Sequence, residues 1–178
     1  HSSVERYDPA LDAWEAVTPM AAARSRLSVA VLDGKLYAMG GYNDDDDFLN
    51  SVERYDPALD VWEVVTPMAK ARNRPGVAVL DGKLYVVGGN TEADHFATSN
   101  LVERYDLTTN AWEAVAPMAE ARYDYAMAVL DGKLSAVGGF GGGYHSSVER
   151  YDPATNAWDA VAPMAVSRCD HAMAVLDG

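Results

Sequence analysis

A chain of 178 residues, 49% of them apolar, can bury a full core, which excludes a disordered segment. Its 27 Asp plus Glu against 14 Lys plus Arg give a net charge of −13, which argues against general binding to nucleic acid or an anionic membrane, because phosphate binding needs a positive patch. The single cysteine, Cys169, excludes an internal disulfide framework and suits a reducing, cytoplasmic setting, and no apolar run reaches the length of a membrane span.

In chain order, the first recognisable element is VERYD at Val4, and it recurs at Val52, Val102 and Val148 with spacings of 48, 50 and 46 residues. Trp14, Trp62, Trp112 and Trp158 follow in step, and then a Pro-Met pair. The recurring Arg24, Arg72, Arg122 and Arg168 come next, before Leu-Asp-Gly. Gly40-Gly41, Gly88-Gly89 and Gly138-Gly139 close the first three units. From the Val of VERYD to the second Gly is 37 positions every time, whereas 10, 12 and 8 residues separate that Gly from the next Val. A constant body carrying one variable loop is how a scaffold with a working edge reads.

Within the body every signal is for strands. LSVAVL (27–32) is almost wholly apolar, which predicts a strand buried on both faces. Asp33-Gly34 predicts a tight hairpin, and LYAMGG (36–41) the returning strand. SVERYDP (51–57) alternates and stops at Pro57, and VWEVVTPM (61–68) carries the Trp. No window has a helical period. Four short strands per unit of about 48 residues describe an all-β chain of antiparallel propeller blades. By the same reading HAMAVL (171–176) is a further inner strand.

These residues resemble the Kelch repeat, and most closely that of the Kelch-like (BTB–Kelch) proteins, over essentially the whole chain. Ser135, where Tyr37 and Tyr85 stand in other units, and Leu107, where a Pro follows VERYD, are the departures. The resemblance implies a β-propeller whose strands run outward from the axis as LSVAVL, LYAMGG, SVERYDP and VWEVVTPM. It implies a single repeat domain over residues 1–178, with three complete blades and a split one. The chain starts on a third strand and ends after a first, so a closed four-blade ring would lack one second strand. An excerpt from a larger ring is the favoured reading. A complete four-blade protein and head-to-tail pairing of open blade edges are the alternatives.

The residues that recur unchanged are read as structural. Arg24, Arg72, Arg122 and Arg168, with the Glu of VERYD, are expected to pair inside the blade. Tyr7, Tyr55, Tyr105 and Tyr151, with the four Trp, are expected to pack between blades. Positions that differ between units are the functional candidates. Strand order puts the Gly-Gly-to-VERYD loops and the Pro-Met-to-Arg connections at one end of every blade. Together they offer Arg26, Arg74, Tyr123, Asp124 and Asp170 beside Tyr42, Phe48, His95, Phe96, Phe140 and Tyr144. Aromatic and arginine side chains on a ring of loops point to a protein or peptide partner.

The four consecutive aspartates Asp44–Asp47 cannot all face one ion, so they read as a solvated acidic tip and not as a calcium loop. Cys169, Asp170 and His171 supply too few ligands for a zinc site, so no metal and no cofactor is expected. The Kelch resemblance implies a non-enzymatic recognition module, a substrate-recruiting part of a cullin-RING ubiquitin ligase. An actin-binding or scaffold protein is the alternative, and an oxidase- or epimerase-type enzyme the more distant one.

Overall fold

The computed structural model describes residues 1–45, 47–91 and 97–176. Its regular elements are all strands, and the hairpins that organise them start from Asp-Gly turns. Asp33 and Gly34 both hold positive φ, 51° and 71°, the two left-handed residues that a hairpin twisted with its strands requires. The turn joins β3 (Ser28–Leu32) to β4 (Lys35–Met39), and the same turn joins β7 (Gly76–Leu80) to β8 (Lys83–Val87) and β13 (Ala126–Leu130) to β14 (Lys133–Val137).

Each returning strand then pairs antiparallel with a VERYD strand, which pairs with a Trp-bearing strand. β4 pairs with β5 (Val52–Asp56) and β5 with β6 (Val61–Val65); β8 pairs with β11 (Val102–Asp106) and β11 with β12 (Ala111–Val115). β14 pairs with β15 (Val148–Asp152), and β15 with β16 (Ala157–Val161). Three four-stranded sheets result, in the order expected from the axis outward. β1 (Val4–Asp8) and β2 (Ala13–Val17) form a two-stranded sheet in the same register. A short hairpin of β9 (Asn90–Thr91) and β10 (Ala97–Thr98) lies in the second variable loop.

Two expectations are corrected. Residues 171–176 are not strand. An inner strand takes its ladder bonds from the strand that returns after its Asp-Gly turn, and no such strand is present among the described residues. The segment instead lies against β13 and β14, where Met173, Ala174, Val175 and Leu176 share a cavity with Ala128, Leu130 and Ser135. β1 and β2 therefore form a sheet with no inner strand beside them among the described residues. The inner strands are also not uniformly buried on both faces: Val29 and Val31 of β3 are 53% and 63% exposed. β7 has inner strands on both sides and is more covered along its length.

The core lies between blades. Tyr37 of the first complete blade meets Tyr105 of the second with ring centroids 6.0 Å apart, and Tyr85 meets Tyr151 of the third at 5.7 Å. Within each blade Tyr and Trp stack, as in Tyr55 on Trp62 at 5.1 Å. The indole N–H reaches back to the preceding unit: Trp62 Nε1 donates to Thr18 O at 2.9 Å, Trp112 Nε1 to Thr66 O at 2.8 Å, and Trp158 Nε1 to Ala116 O at 2.9 Å. Large flat side chains with one polar tip suit a wedge-shaped gap that ends at a backbone carbonyl.

Candidate functional site

At the end of each complete blade opposite the Asp-Gly turns, a buried arginine fixes the loops; Arg168 and Glu5, expected to pair in the same way, are both exposed and make no such pair among the described residues. Arg72 is fully buried. Its Nη1 donates to Gly88 O and Leu101 O, both at 2.8 Å, and its Nη2 to Glu103 Oε1 at 2.9 Å. The Glu103 carboxylate also accepts from the backbone N–H of Ala69 at 2.7 Å. Arg24 with Glu53 and Arg122 with Glu149 repeat the pattern. A buried ion pair tolerates desolvation only when its remaining donors and lone pairs are used, and these pairs use backbone carbonyls and amides for that purpose.

The Gly-Gly pair lies across the same layer. Gly41 has φ +86°, its N–H donates to Arg72 O at 2.8 Å, and a Cβ there would stand 2.5 Å from Ser25 O. No side chain fits, so the backbones of two neighbouring blades meet directly. The two loop sets then pair at this end: Ser25 bridges to Tyr42, Asn73 to Asn90, and Tyr123 to Phe140. Tyr42 bridges on to Phe48, and Phe140 to Tyr144.

Two residues beyond each recurring arginine, one side chain per unit borders the mouth of the inner strands. Arg26, Arg74, Asp124 and Asp170 all have left-handed φ, between 49° and 53°. All four line one cavity of about 360 Å³, together with Leu27, Ser28, Pro75 and Tyr125. Arg74 N donates to Arg26 O at 3.1 Å, and Asp170 N to Asp124 O at 2.9 Å. At the middle joint an Arg74–Asp124 ion pair makes the link. Burial holds the Asp124 carboxyl above the usual carboxylate range; Arg74 opposes that shift, and Asp170 adds to it.

Aromatic rings flank this mouth on both sides. The Arg26 guanidinium lies 5.4 Å from the Tyr42 ring centroid, and Arg74 lies 5.7 Å from that of Tyr123. Tyr123, Phe140 and Tyr144 form a ladder with centroid separations of 5.6 and 5.4 Å. Tyr144 is exposed at its end. His95 and Phe96 lie outside the described residues. In the acidic loop, Asn43 Oδ1 accepts from Asp45 N and Asp47 N, and Asp44 and Asp45 are exposed.

Cys169 Sγ lies 3.6 Å from Asp170 Oδ2, and burial, followed by that carboxylate, pushes the thiol up, which disfavours the thiolate needed for nucleophilic work. Burial lowers His171, and Arg168 adds to the effect. Among the described residues no group of three His, Cys, Asp or Glu is arranged to hold a metal ion, and no helix is long and apolar enough to cross a membrane.

One recurring set escaped the sequence reading. Asp60, Asn110 and Asn156, each two residues before a Trp, tie units together. Asp60 accepts from Thr18 N and Tyr55 OH, and Asn156 from Ala116 N and Tyr151 OH. Their signal was an Asp or Asn at that position in all four units, with Asp12 in the first.

Four-stranded blades that meet along inner strands, with paired loops gathered over the mouth at one end, define a β-propeller of the repeat-module class. A family profile described as the KLHDC2/KLHL20/DRC7 Kelch-repeats domain matches residues 3–178, and the chain belongs to that family. Kelch-like protein 5 of Homo sapiens is 50% identical over 48 residues, 27% of this chain and 6% of that protein. Kelch-like protein 1 of Mus musculus is 46% identical over 48 residues, with the same shares. Influenza virus NS1A-binding protein homolog B of Danio rerio is 46% identical over 48 residues, 27% of this chain and 8% of that protein. The matched stretch is thus less than a tenth of each relative's length. Among solved structures, YjhT superposes with a TM-score of 0.74 at 19% identity, covering 86% of this chain and 56% of that one, which is a likeness of fold. Family membership supports a protein-interaction module.

Proposed function

We propose that the chain is a non-enzymatic recognition module that captures a segment of a partner protein on the loop-bearing end of its blades. The observation that carries this reading is the contrast between an unvarying arginine, buried in the first three units, and the residue two places on, which changes from Arg to Asp at an open cavity. Rigid blades hold the mouth in place, so little ordering accompanies capture. Exposed Tyr144 and the rings behind it supply apolar area beside the charges. Residues 1–178 act as one repeat domain in the cytoplasm, and the open blade edges offer a route to self-association.

In a longer reading frame the module would recruit substrates to a cullin-RING ubiquitin ligase, as the resemblance to BTB–Kelch proteins implies. An actin-binding or scaffold role is the second reading. The test is a triple substitution, Arg26→Ala, Arg74→Ala and Tyr144→Ala, in chain used as bait for identified partners. Loss of capture with unchanged thermal unfolding supports the loop-end placement. Undiminished capture removes it.

A further inference from the structure

The mouth is charged in halves. The first two units place Arg26 and Arg74 there, and the last two place Asp124 and Asp170. Like charges are joined through the main chain, Arg26 with Arg74 and Asp124 with Asp170, while the opposite charges meet once, at the central Arg74–Asp124 pair. That pair neutralises itself. It leaves Arg26, exposed and resting on the Tyr42 ring, at one end of this contact series. At the other end stands exposed Asp170, whose side-chain neighbours are the Cys169 thiol and the Asp124 carboxylate.

We propose that this cavity recognises a peptide segment carrying one acidic and one basic side chain, the acid seated at Arg26 and the base at Asp170. This rests on the reading of the loop-bearing end as the partner-binding face, and it names the chemistry of the partner. A segment with acidic side chains alone gains at Arg26 but meets Asp170, and a purely basic one meets the reverse. Each single-charge ligand thus carries its own repulsion, which is how an interface sets polarity and rejects wrong partners. The chain's net charge of −13 adds a further bias against purely acidic segments.

The test exploits the repeat itself. The backbone position is the same left-handed one in all four units and already carries either Arg or Asp. Asp170→Arg and Arg26→Asp therefore place a residue where another unit bears it, and both variants are expected to fold as the parent does. The probes are fluorescein-labelled, end-capped peptides with one Glu and one Lys separated by two to five glycine or serine residues. Matched peptides carry Gln for Lys, Gln for Glu, or Gln at both positions. Binding is read by fluorescence anisotropy at low salt.

The parent chain is expected to bind at least one spacing of the Glu/Lys peptide about tenfold more tightly than either single-charge peptide. Asp170→Arg should shift the preference to the Glu-only peptide, and Arg26→Asp to the Lys-only one. Equal affinity for all peptides, no binding of any, or preferences unchanged by both reversals would overturn the inference. Capture of identified partners by the parent, lost in the Arg26/Arg74/Tyr144 triple variant, would leave the binding-face reading standing in that case. Capture that survives the triple variant removes the reading as well.

Discussion

Arg72 and Arg74 are two residues apart and belong to different regions of the molecule. Arg72 is fully buried, and its donors are taken up by two carbonyls and a glutamate, in an arrangement that Arg24 and Arg122 repeat. Arg74 borders an open mouth, pairs with an aspartate of the next unit, and has counterparts of the opposite charge. The same side chain is scaffold in one place and, in the function proposed, recognition surface in the other. What separates them is whether the blade's own backbone needs the guanidinium.

That contrast can be broken by substitution. Arg72→Ala leaves the buried Glu103 carboxylate without its counter-ion and the Gly88 and Leu101 carbonyls without their donors. It should cost about 3–5 kcal/mol, read as a lowered urea midpoint. Arg74→Ala should cost less, about 1–2 kcal/mol, since its pair keeps some solvent exposure and the Asp124 carboxyl it leaves can take up a proton. Equal losses at the two sites would erase the distinction.

Next in size is Gly41→Ala, which forces a Cβ against Ser25 O at a φ that favours glycine. A loss of about 1–3 kcal/mol is expected, measured the same way. Smaller again is Trp112→Phe, which removes the indole bond to Thr66 O and should cost about 1 kcal/mol. Trp14, 68% exposed, makes the control: Trp14→Phe should leave the unfolding midpoint within error.

The smallest effect concerns acid. Lys35, Lys83 and Lys133 hold Asp56, Asp106 and Asp152 below the usual carboxylate range. A carboxyl depressed by folding contributes stability above about pH 3.9, its unfolded value. That contribution is lost as pH falls through the lower folded value. Lys83→Met should therefore shallow the acid limb of stability against pH, and added salt should shrink the difference, because these groups are only partly covered.

The repeat made most of the architecture legible. Asp-Gly turns, alternating VERYD strands and the Trp-bearing strands stand where the spacing puts them, since each is fixed by local backbone preference and by one buried face. Residues 171–176 show the limit. An apolar run becomes an inner strand only when its ladder partner is present, and periodicity within the run cannot supply one. Val29 and Val31 make the same point, because exposure depends on which neighbours flank a strand.

At the mouth, the sign change from Arg74 to Asp124 could be seen in the sequence, but not that those two side chains pair and leave Arg26 and Asp170 at the two ends of a contact series around the cavity. Asp60 and Asn156 were missed because an Asp or Asn before a Trp reads as a turn residue. Their bonds to Thr18 and Ala116 of the preceding unit exist only once the blades are stacked.

The central claim is that a partner is taken at the loop-bearing end and not at the Asp-Gly end. Site-specific photo-crosslinking tests it most directly, with benzoylphenylalanine at Tyr144 in one chain and at Asp81 in another. The account predicts an adduct with the same identified partner from position 144 and none from position 81. Adducts from position 81 alone would contradict it.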